Sequence, residues 1–351
     1  MVDKVKTLFN RIYHRLNLIW QVASTGKMQE QKTRQIPQIS KEDIAELKIF
    51  FPMDKFFVFG HARSGTTLLT RLLRLHPEVH CNYQAHFFSR HPMLSEILSD
   101  QVSSHWFDRP ANRWNRGKQL TPVALRAMTE YILERDARQA GKTIVGDKSP
   151  NTNSDGQAVI EMHTFYPDAR LIYIVRDGRD ALISHRFQHF IDGAHHLYAS
   201  DLSIKNSFME DPTPFLNGEC SLFTEEAIRQ MAERWVANVV ETDRLGRELY
   251  GEQYHALRYE DMLKQPYKTL SDLWDFLGAS PGDFEGIVRV EMQLNPDASY
   301  QREIAEELVK PLEKGKRGSW RELFTERDKR VFKEIAGETL IAWGYEKDME
   351  W

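Results

Sequence analysis

The chain has 351 residues, 28% of them charged and 41% hydrophobic, and carries a formal net charge of -4. These are ordinary globular values, sufficient for one large α/β domain or two average ones, and the mild negative charge excludes a general nucleic-acid binder. With only Cys81 and Cys220, no Asn-x-Ser/Thr acceptor and no apolar run near the ~18 residues of a membrane span, the expectation is a cytoplasmic chain with free thiols.

Residues 1–24 place Val5, Leu8, Phe9, Ile12, Leu16, Ile19 and Trp20 at helical spacing among Lys4, Lys6, Arg11 and Arg15. They read as an amphipathic helix without the uninterrupted apolar core of a signal peptide. Such a helix packs on its own domain or a partner subunit, or lies peripherally on a membrane, and the sequence leaves these open. A polar linker with Gln29, Gln31, Lys32, Arg34 and Pro37 completes residues 1–41, and a main domain is expected over 42–351.

In that domain Lys55 to Phe59 is a short aromatic, β-branched run ending at Gly60. Leu68 to Leu75 then shows helical spacing until Pro77, giving strand, glycine loop, helix. Thr143–Val145, Leu171–Val175 and Tyr254–Leu257 read as further buried strands. Pro122–Ala140, Asp155–Phe165 and Glu225–Tyr250 read as helices between them. Strands alternating with helices predict an α/β, P-loop-like three-layer fold with a central parallel sheet flanked by helices. Residues 188–223, rich in His, Asn, Pro and Gly and without clear periodicity, read either as a lid or substrate loop or as a plain surface excursion.

Gly60-His61-Ala62-Arg63-Ser64-Gly65-Thr66-Thr67 sits where backbone N–H groups and a helix N-terminus hold phosphate. Its spacing is nearly that of the nucleotide P-loop, but Thr66 replaces the lysine that neutralises the β- and γ-phosphates of a triphosphate. Arg63 supplies a positive fork instead. The loop resembles that of the sulfotransferase superfamily, which reads approximately Lys/Arg-Ser-Gly-Thr-Thr after a strand. The resemblance implies a donor, 3′-phosphoadenosine 5′-phosphosulfate (PAPS), whose 5′-phosphosulfate is held by Arg63, Ser64, Gly65, Thr66 and Thr67. Arg63 and Leu68, where cytosolic members have Lys and Trp, shift the likeness toward the bacterial and tyrosylprotein branches.

Three downstream segments extend the resemblance. Arg176 follows the Leu171–Val175 strand, at the sheet edge where α/β folds bind ligands, and Ser184 follows eight residues later. At those positions the family binds the 3′-phosphate. Lys314, Gly315, Gly318 and Trp320 match the loop that folds over the donor. Glu313 occupies the family's Arg position, so Lys316 or Arg317 is expected to compensate. Arg258-Tyr259-Glu260-Asp261-Met262 resembles the signature whose Tyr contacts the adenine, which implies that role for Tyr259.

Sulfuryl transfer needs in-line attack, a base and cations on the leaving oxygen, and no metal; no His, Cys and carboxylate spacing reads as a metal site. The resemblance makes Lys148 the catalytic lysine and Arg63 the cation facing the leaving phosphate. Pro150 and Gln84 stand where family members place a His or a Glu base, and an amide accepts no proton. His86 is the nearest titratable group and becomes the expected catalytic base, with Asp147 next. The function expected is transfer from PAPS to a hydroxyl of a small alcohol, phenol, carbohydrate or lipid, with no nucleic-acid partner. A P-loop-type small-molecule kinase and a non-catalytic PAPS-binding protein are the alternatives.

Overall fold

The computed structural model describes residues 35–151, 153–192, 199–293 and 318–351. The expected N-terminal helix, Lys314 to Arg317 and His195-His196 lie outside the described residues. The chain divides into a small compact unit that includes Ser95–Thr121 and a large one made of Pro37–Leu94 and Pro122–Trp351.

The large unit is built on five strands: β1 (Asp54–Phe59), β2 (Val79–Tyr83), β3 (Ile144–Lys148), β4 (Arg170–Val175) and β5 (Tyr254–Arg258). They form one sheet in the order β2-β3-β1-β4-β5, and every pairing is parallel. In β1 and β4 the runs Phe56–Phe59 and Leu171–Val175 are continuously buried, because a parallel strand covered on both faces has no solvent side.

Among the described residues the longer helices of the large unit are α1 (Lys41–Phe50), α2 (Thr66–Leu73), α3 (Thr121–Gln139), α4 (Gln157–Phe165), α5 (Gly178–Asp192), α6 (Ala199–Glu210), α7 (Glu225–Tyr250), α8 (Tyr259–Lys264), α9 (Pro266–Leu277), α10 (Glu285–Gln293) and α11 (Glu326–Ala342). Phe56 and Val58 point to one face and join Leu69 and Leu72 of α2 and Leu273 and Trp274 of α9 in a single apolar cluster. Phe57 points the other way, its ring edge-on to Phe88 and Tyr166 at 5.1 and 5.0 Å. Tyr173 of β4 reaches α7 by donating to Asn238 Oδ1 at 3.2 Å. Helices thus cover both faces, the three layers that strand and helix alternation predicts.

Three details differ from the sequence expectation. The packed chain starts earlier than Glu42: Ile39 is buried with Ile44 and Leu47, and Ser40 caps α1 by accepting Asp43 N at 3.1 Å. The sequence reading has no strand at Val79–Tyr83, because only Val79 and Tyr83 are strong β formers; β2 is an edge strand that pairs on one side alone. Residues 188–223 are largely helical, with α5 running on to Asp192, then α6 and a one-turn helix at Thr213–Leu216. No apolar period marks α6 because its buried residues are Asp201 and Phe208, and Asp201 is buried as the partner of Arg186 at 2.8 Å. Among the described residues no helix is long and apolar enough to cross a membrane.

Candidate active site

After β1 the chain turns toward β2, and after β4 it turns toward β5 on the other side. The sheet therefore has its topological switch point between the carboxyl ends of β1 and β4, where such folds open a crevice. The Gly60–Gly65 loop leaves one of these ends and Arg176 leaves the other.

The loop is held in an unusual backbone conformation. Arg63 has φ 72° and Gly65 φ 85°, both left-handed, which a non-glycine residue adopts only under constraint. Ser64 N donates to His61 O at 3.1 Å, and Asn151 N donates to Gly60 O at 2.8 Å, pinning the loop from within and from the chain after β3. At Gly65 a Cβ would lie 2.2 Å from the Tyr259 ring, so the tyrosine packs directly on the loop backbone. Helix α2 starts at Thr66, and its first N–H groups have no intrahelical acceptor.

Around this loop the expected residues converge. Arg63 Nε donates to Ser184 Oγ at 3.0 Å, joining the first predicted anion site to the second. Arg176 Nη1 donates to the Arg63 carbonyl at 3.2 Å, and its guanidinium lies 5.1 Å from the Tyr259 ring centroid. Lys148, the last residue of β3, is buried and donates from Nζ to Thr67 Oγ1 at 3.1 Å. Two polar atoms here, Ser64 Oγ and Arg176 Nε, are buried without a hydrogen-bond partner in the protein. Buried polar atoms are ordinarily satisfied, so these two mark a place prepared for a polar ligand.

The segment after β2 forms the other wall. Gln84 and His86 have φ of 56° and 54°, and the turn is stapled to the end of β3. Gln84 N donates to Lys148 O at 2.7 Å, Ala85 N to Asp147 Oδ1 at 3.1 Å, and His86 N to Ser149 Oγ at 2.9 Å. Ser149 Oγ in turn donates to Asp147 Oδ2 at 2.5 Å. Both Asp147 oxygens are therefore engaged in holding the turn, and burial pushes its carboxyl up to about 6. His86 Nδ1 shares a 2.8 Å hydrogen bond with Ser89 Oγ, whereas Nε2 is buried without a partner. Burial first, then the charges of Arg90 and Lys148, push its imidazole down to about 4, so it is neutral at neutral pH and a weaker base than a free imidazole.

Some neighbours of the motifs do structural work that sequence reading did not assign. Arg179 lies between the Trp320 and Trp351 rings at 3.8 and 4.4 Å and is tied to Asp177 and Glu346. Asp180 accepts Gly318 N at 2.7 Å and Trp320 N at 3.2 Å, anchoring the C-terminal end of the predicted glycine-rich loop. Ser149 and Asp180 both stand beside recognised motif residues, so their only sequence signal is adjacency to Lys148 and Arg176. Tyr83, half-exposed at the end of β2, is flanked by Arg74 and Lys148 at 5.4 and 5.5 Å from its ring.

A model of the sulfotransferase family matches residues 55–283, which include both sides of this crevice. A Drosophila melanogaster protein-tyrosine sulfotransferase is 32% identical over 130 residues, 36% of this chain and 24% of that protein. Protein-tyrosine sulfotransferase A of Caenorhabditis elegans is 29% identical over 130 residues, 35% of this chain and 30% of that protein. The matched stretch thus spans about a quarter to a third of the length of these relatives. A mouse sulfotransferase solved as a complex with PAP aligns at a TM-score of 0.44 and 18% identity, over 86% of this chain and 90% of that one. With the family model matching well over half of its residues, the chain belongs to the sulfotransferase family.

Proposed function

We propose that the chain is an enzyme that transfers a sulfuryl group from PAPS to a hydroxyl acceptor by in-line displacement. The observation that carries this reading is the meeting of two anion sites at the switch point. Arg63 of the loop bonds Ser184, Arg176 bonds the loop carbonyl, and Ser64 Oγ and Arg176 Nε are buried and unpaired beside them. A nucleoside triphosphate needs no second phosphate pocket; a donor phosphorylated at 3′ and 5′ does.

The residues present fit such a donor. Ser64, Thr66, Thr67 and the first N–H groups of α2 would hold its 5′ side, Arg176 and Ser184 its 3′-phosphate, and Tyr259 its adenine. By the family resemblance Lys314, Gly315, Lys316 and Arg317, outside the described residues, are further candidates for donor binding. The donor, when bound, supplies an activated sulfuryl group. Lys148, fixed by Thr67, offers an ammonium for charge developing on the leaving oxygen, and Arg63 adds a second cation. His86, neutral and with Nε2 unpaired, takes the acceptor's proton. Burial is the main cause of its depressed basicity; a bound anion would offset only the smaller part due to Arg90 and Lys148. Asp147 instead orients the turn that carries His86. The proposed acceptor is a hydroxyl, and because the fly and worm relatives are named protein-tyrosine sulfotransferases, a tyrosine-containing peptide belongs in the acceptor screen.

Calorimetry with 3′,5′-ADP (PAP), ATP and AMP tests the donor. Tight binding of PAP with weak binding of the other two is expected, whereas ATP binding that depends on Mg²⁺ would favour a kinase and defeat the reading. For the base, His86→Ala is expected to lower turnover of labelled PAPS by about 100-fold or more with PAP affinity retained. Near-normal turnover would remove His86 from that role.

A further inference from the structure

The small unit carries an exposed apolar and cationic surface that the sulfotransfer reading does not use. Its helix, residues Gln101–Asp108, is capped by Asp100, whose carboxylate accepts Val102 N and Ser103 N, both at 2.9 Å. One turn apart on this helix, Val102 is 80% exposed and Trp106 58%. Trp114, 51% exposed, stacks on Trp106 at 4.7 Å and 28°.

These indoles are not on a loose loop. Asn112 Nδ2 donates to the carbonyls of His105 and Trp106 at 3.2 and 2.7 Å. Asn115, buried, donates to Phe107 O at 2.7 Å and accepts Gly117 N at 3.0 Å. Arg116 and Gly117 then turn in the left-handed region, at φ 54° and 72°. The hydrogen bonds hold two large apolar side chains out in water, which a fold does not otherwise favour.

Cations predominate around them, with Asp100 at the helix N-terminus as an exposed carboxylate beside Val102. Arg109, Arg113, Arg116 and Lys118 are all exposed. The carboxylate among residues 101–119, Asp108, is buried and accepts Thr121 N and Oγ1 at 2.9 and 2.6 Å. Arg109, Arg113, Arg116 and Lys118 thus each lie within four residues in sequence of one or other indole, on a chain whose net charge is -4.

We propose that this surface docks the protein on an anionic lipid bilayer. Indoles settle at the headgroup boundary, where a flat apolar body with one N–H donor is most at home. Exposed Lys and Arg add attraction to anionic headgroups, about fivefold in affinity for each cation. A negatively charged glycan would engage the same cations, but it has nothing to gain from the exposed Val102 side chain in line with Trp106.

The test is sedimentation of the full-length protein with vesicles of phosphatidylcholine containing about one third phosphatidylserine. Wild type should pellet with these vesicles and not with phosphatidylcholine alone. Trp106→Ala with Trp114→Ala should weaken binding at least about tenfold, and replacing the four cations with Gln at least about fiftyfold, each with PAP binding unchanged. Because the alanine pair could unfold the small unit, a Trp106→Phe, Trp114→Phe protein is compared by fluorescence with brominated lipid. Loss of most of the vesicle-dependent quenching in that protein supports docking through these indoles. The proposal is overturned if wild type ignores anionic vesicles, if all variants pellet like wild type, or if heparin captures the protein through these residues while vesicles do not.

Discussion

Arg176 shows how one side chain links the two anion sites. It sits at the end of a central strand with one nitrogen on the Arg63 carbonyl, its plane near Tyr259, and Nε buried without a partner. The unpaired Nε is costly without a ligand and is used when an anion binds, so Arg176 is worth more in the complex than in the free protein. Charge-assisted bonds of roughly 1.5 to 3 kcal/mol make Arg176→Ala weaken PAP binding by about 10- to 100-fold in calorimetry. Because the substitution also removes the bond to the loop carbonyl, Arg176→Lys is the informative companion. It keeps the charge but loses the planar fork, and should recover only part of the affinity. Unchanged PAP affinity in the alanine protein would remove Arg176 from the 3′ site. Arg176 and Ser184 were singled out through the family resemblance, and the strand before them fixed only their place at the sheet edge. His86 was reached only by elimination, since nothing in Gln84-Ala85-His86 announces a left-handed turn.

At the scale of the element, the end of β3 organises the turn that follows β2. Asp147 and Lys148 are adjacent, so their side chains leave opposite faces of the strand. Lys148 goes to the phosphate loop, and Asp147 goes to Ala85 and Ser149. Asp147 stands second to His86 as a candidate base in the sequence reading; residue spacing does not show that both of its oxygens are already engaged. Burial raises its pKa from 3.8 to about 6. The folded state therefore holds this proton between those values while the unfolded state has released it. Its contribution to stability falls as pH rises from about 4 to about 6, and above that a penalty on the order of 2 to 3 kcal/mol persists. Asp147→Asn keeps an acceptor for Ala85 N and carries no charge. Urea unfolding from pH 4 to 7 should show the variant gaining on wild type as pH rises, with most of the gain complete near pH 6. His61, His86 and His185, whose pKa values are lowered, add an opposite slope to both proteins and cancel in the difference. A difference that is flat with pH would mean that Asp147 is not a buried, raised carboxyl.

For the large unit as a whole, the carboxyl ends of the strands carry the crevice and the amino ends carry a buried ion cluster. Lys55, at the start of the central strand, meets Glu130 at 2.5 Å and Glu134 at 2.8 Å. Arg126 meets Glu130 at 3.0 Å and grips Asp168 with two bonds of 2.7 and 3.1 Å. None of this was legible in the sequence. In the sequence Lys55 is simply the first residue of an aromatic run, and Glu130 and Glu134 are two of the charged residues of the Pro122–Ala140 helical stretch. Charges are assigned inward only when their partners are known, and the partners of Lys55 lie 75 or more residues away along the chain. The strand order was partly legible, because apolar strand runs separated by helices demand parallel pairing, but the edge strand β2 escaped for want of such a run. The cluster yields a prediction that separates stability from function. Lys55→Met removes one cation from between two buried carboxylates, and breaking such a group costs about 3 to 5 kcal/mol. Glu130 and Glu134 keep Arg126 and Arg138, which places the expected loss at the low end, about 3 kcal/mol. Urea unfolding at pH 7 should show that loss, and adding Glu130→Gln should restore part of it by removing the uncompensated charge. PAP affinity of the folded protein should be unchanged in both variants, because the cluster and the crevice lie at opposite ends of β1. Loss of PAP binding in a Lys55→Met protein that is still folded would show instead that the two ends of the sheet are coupled.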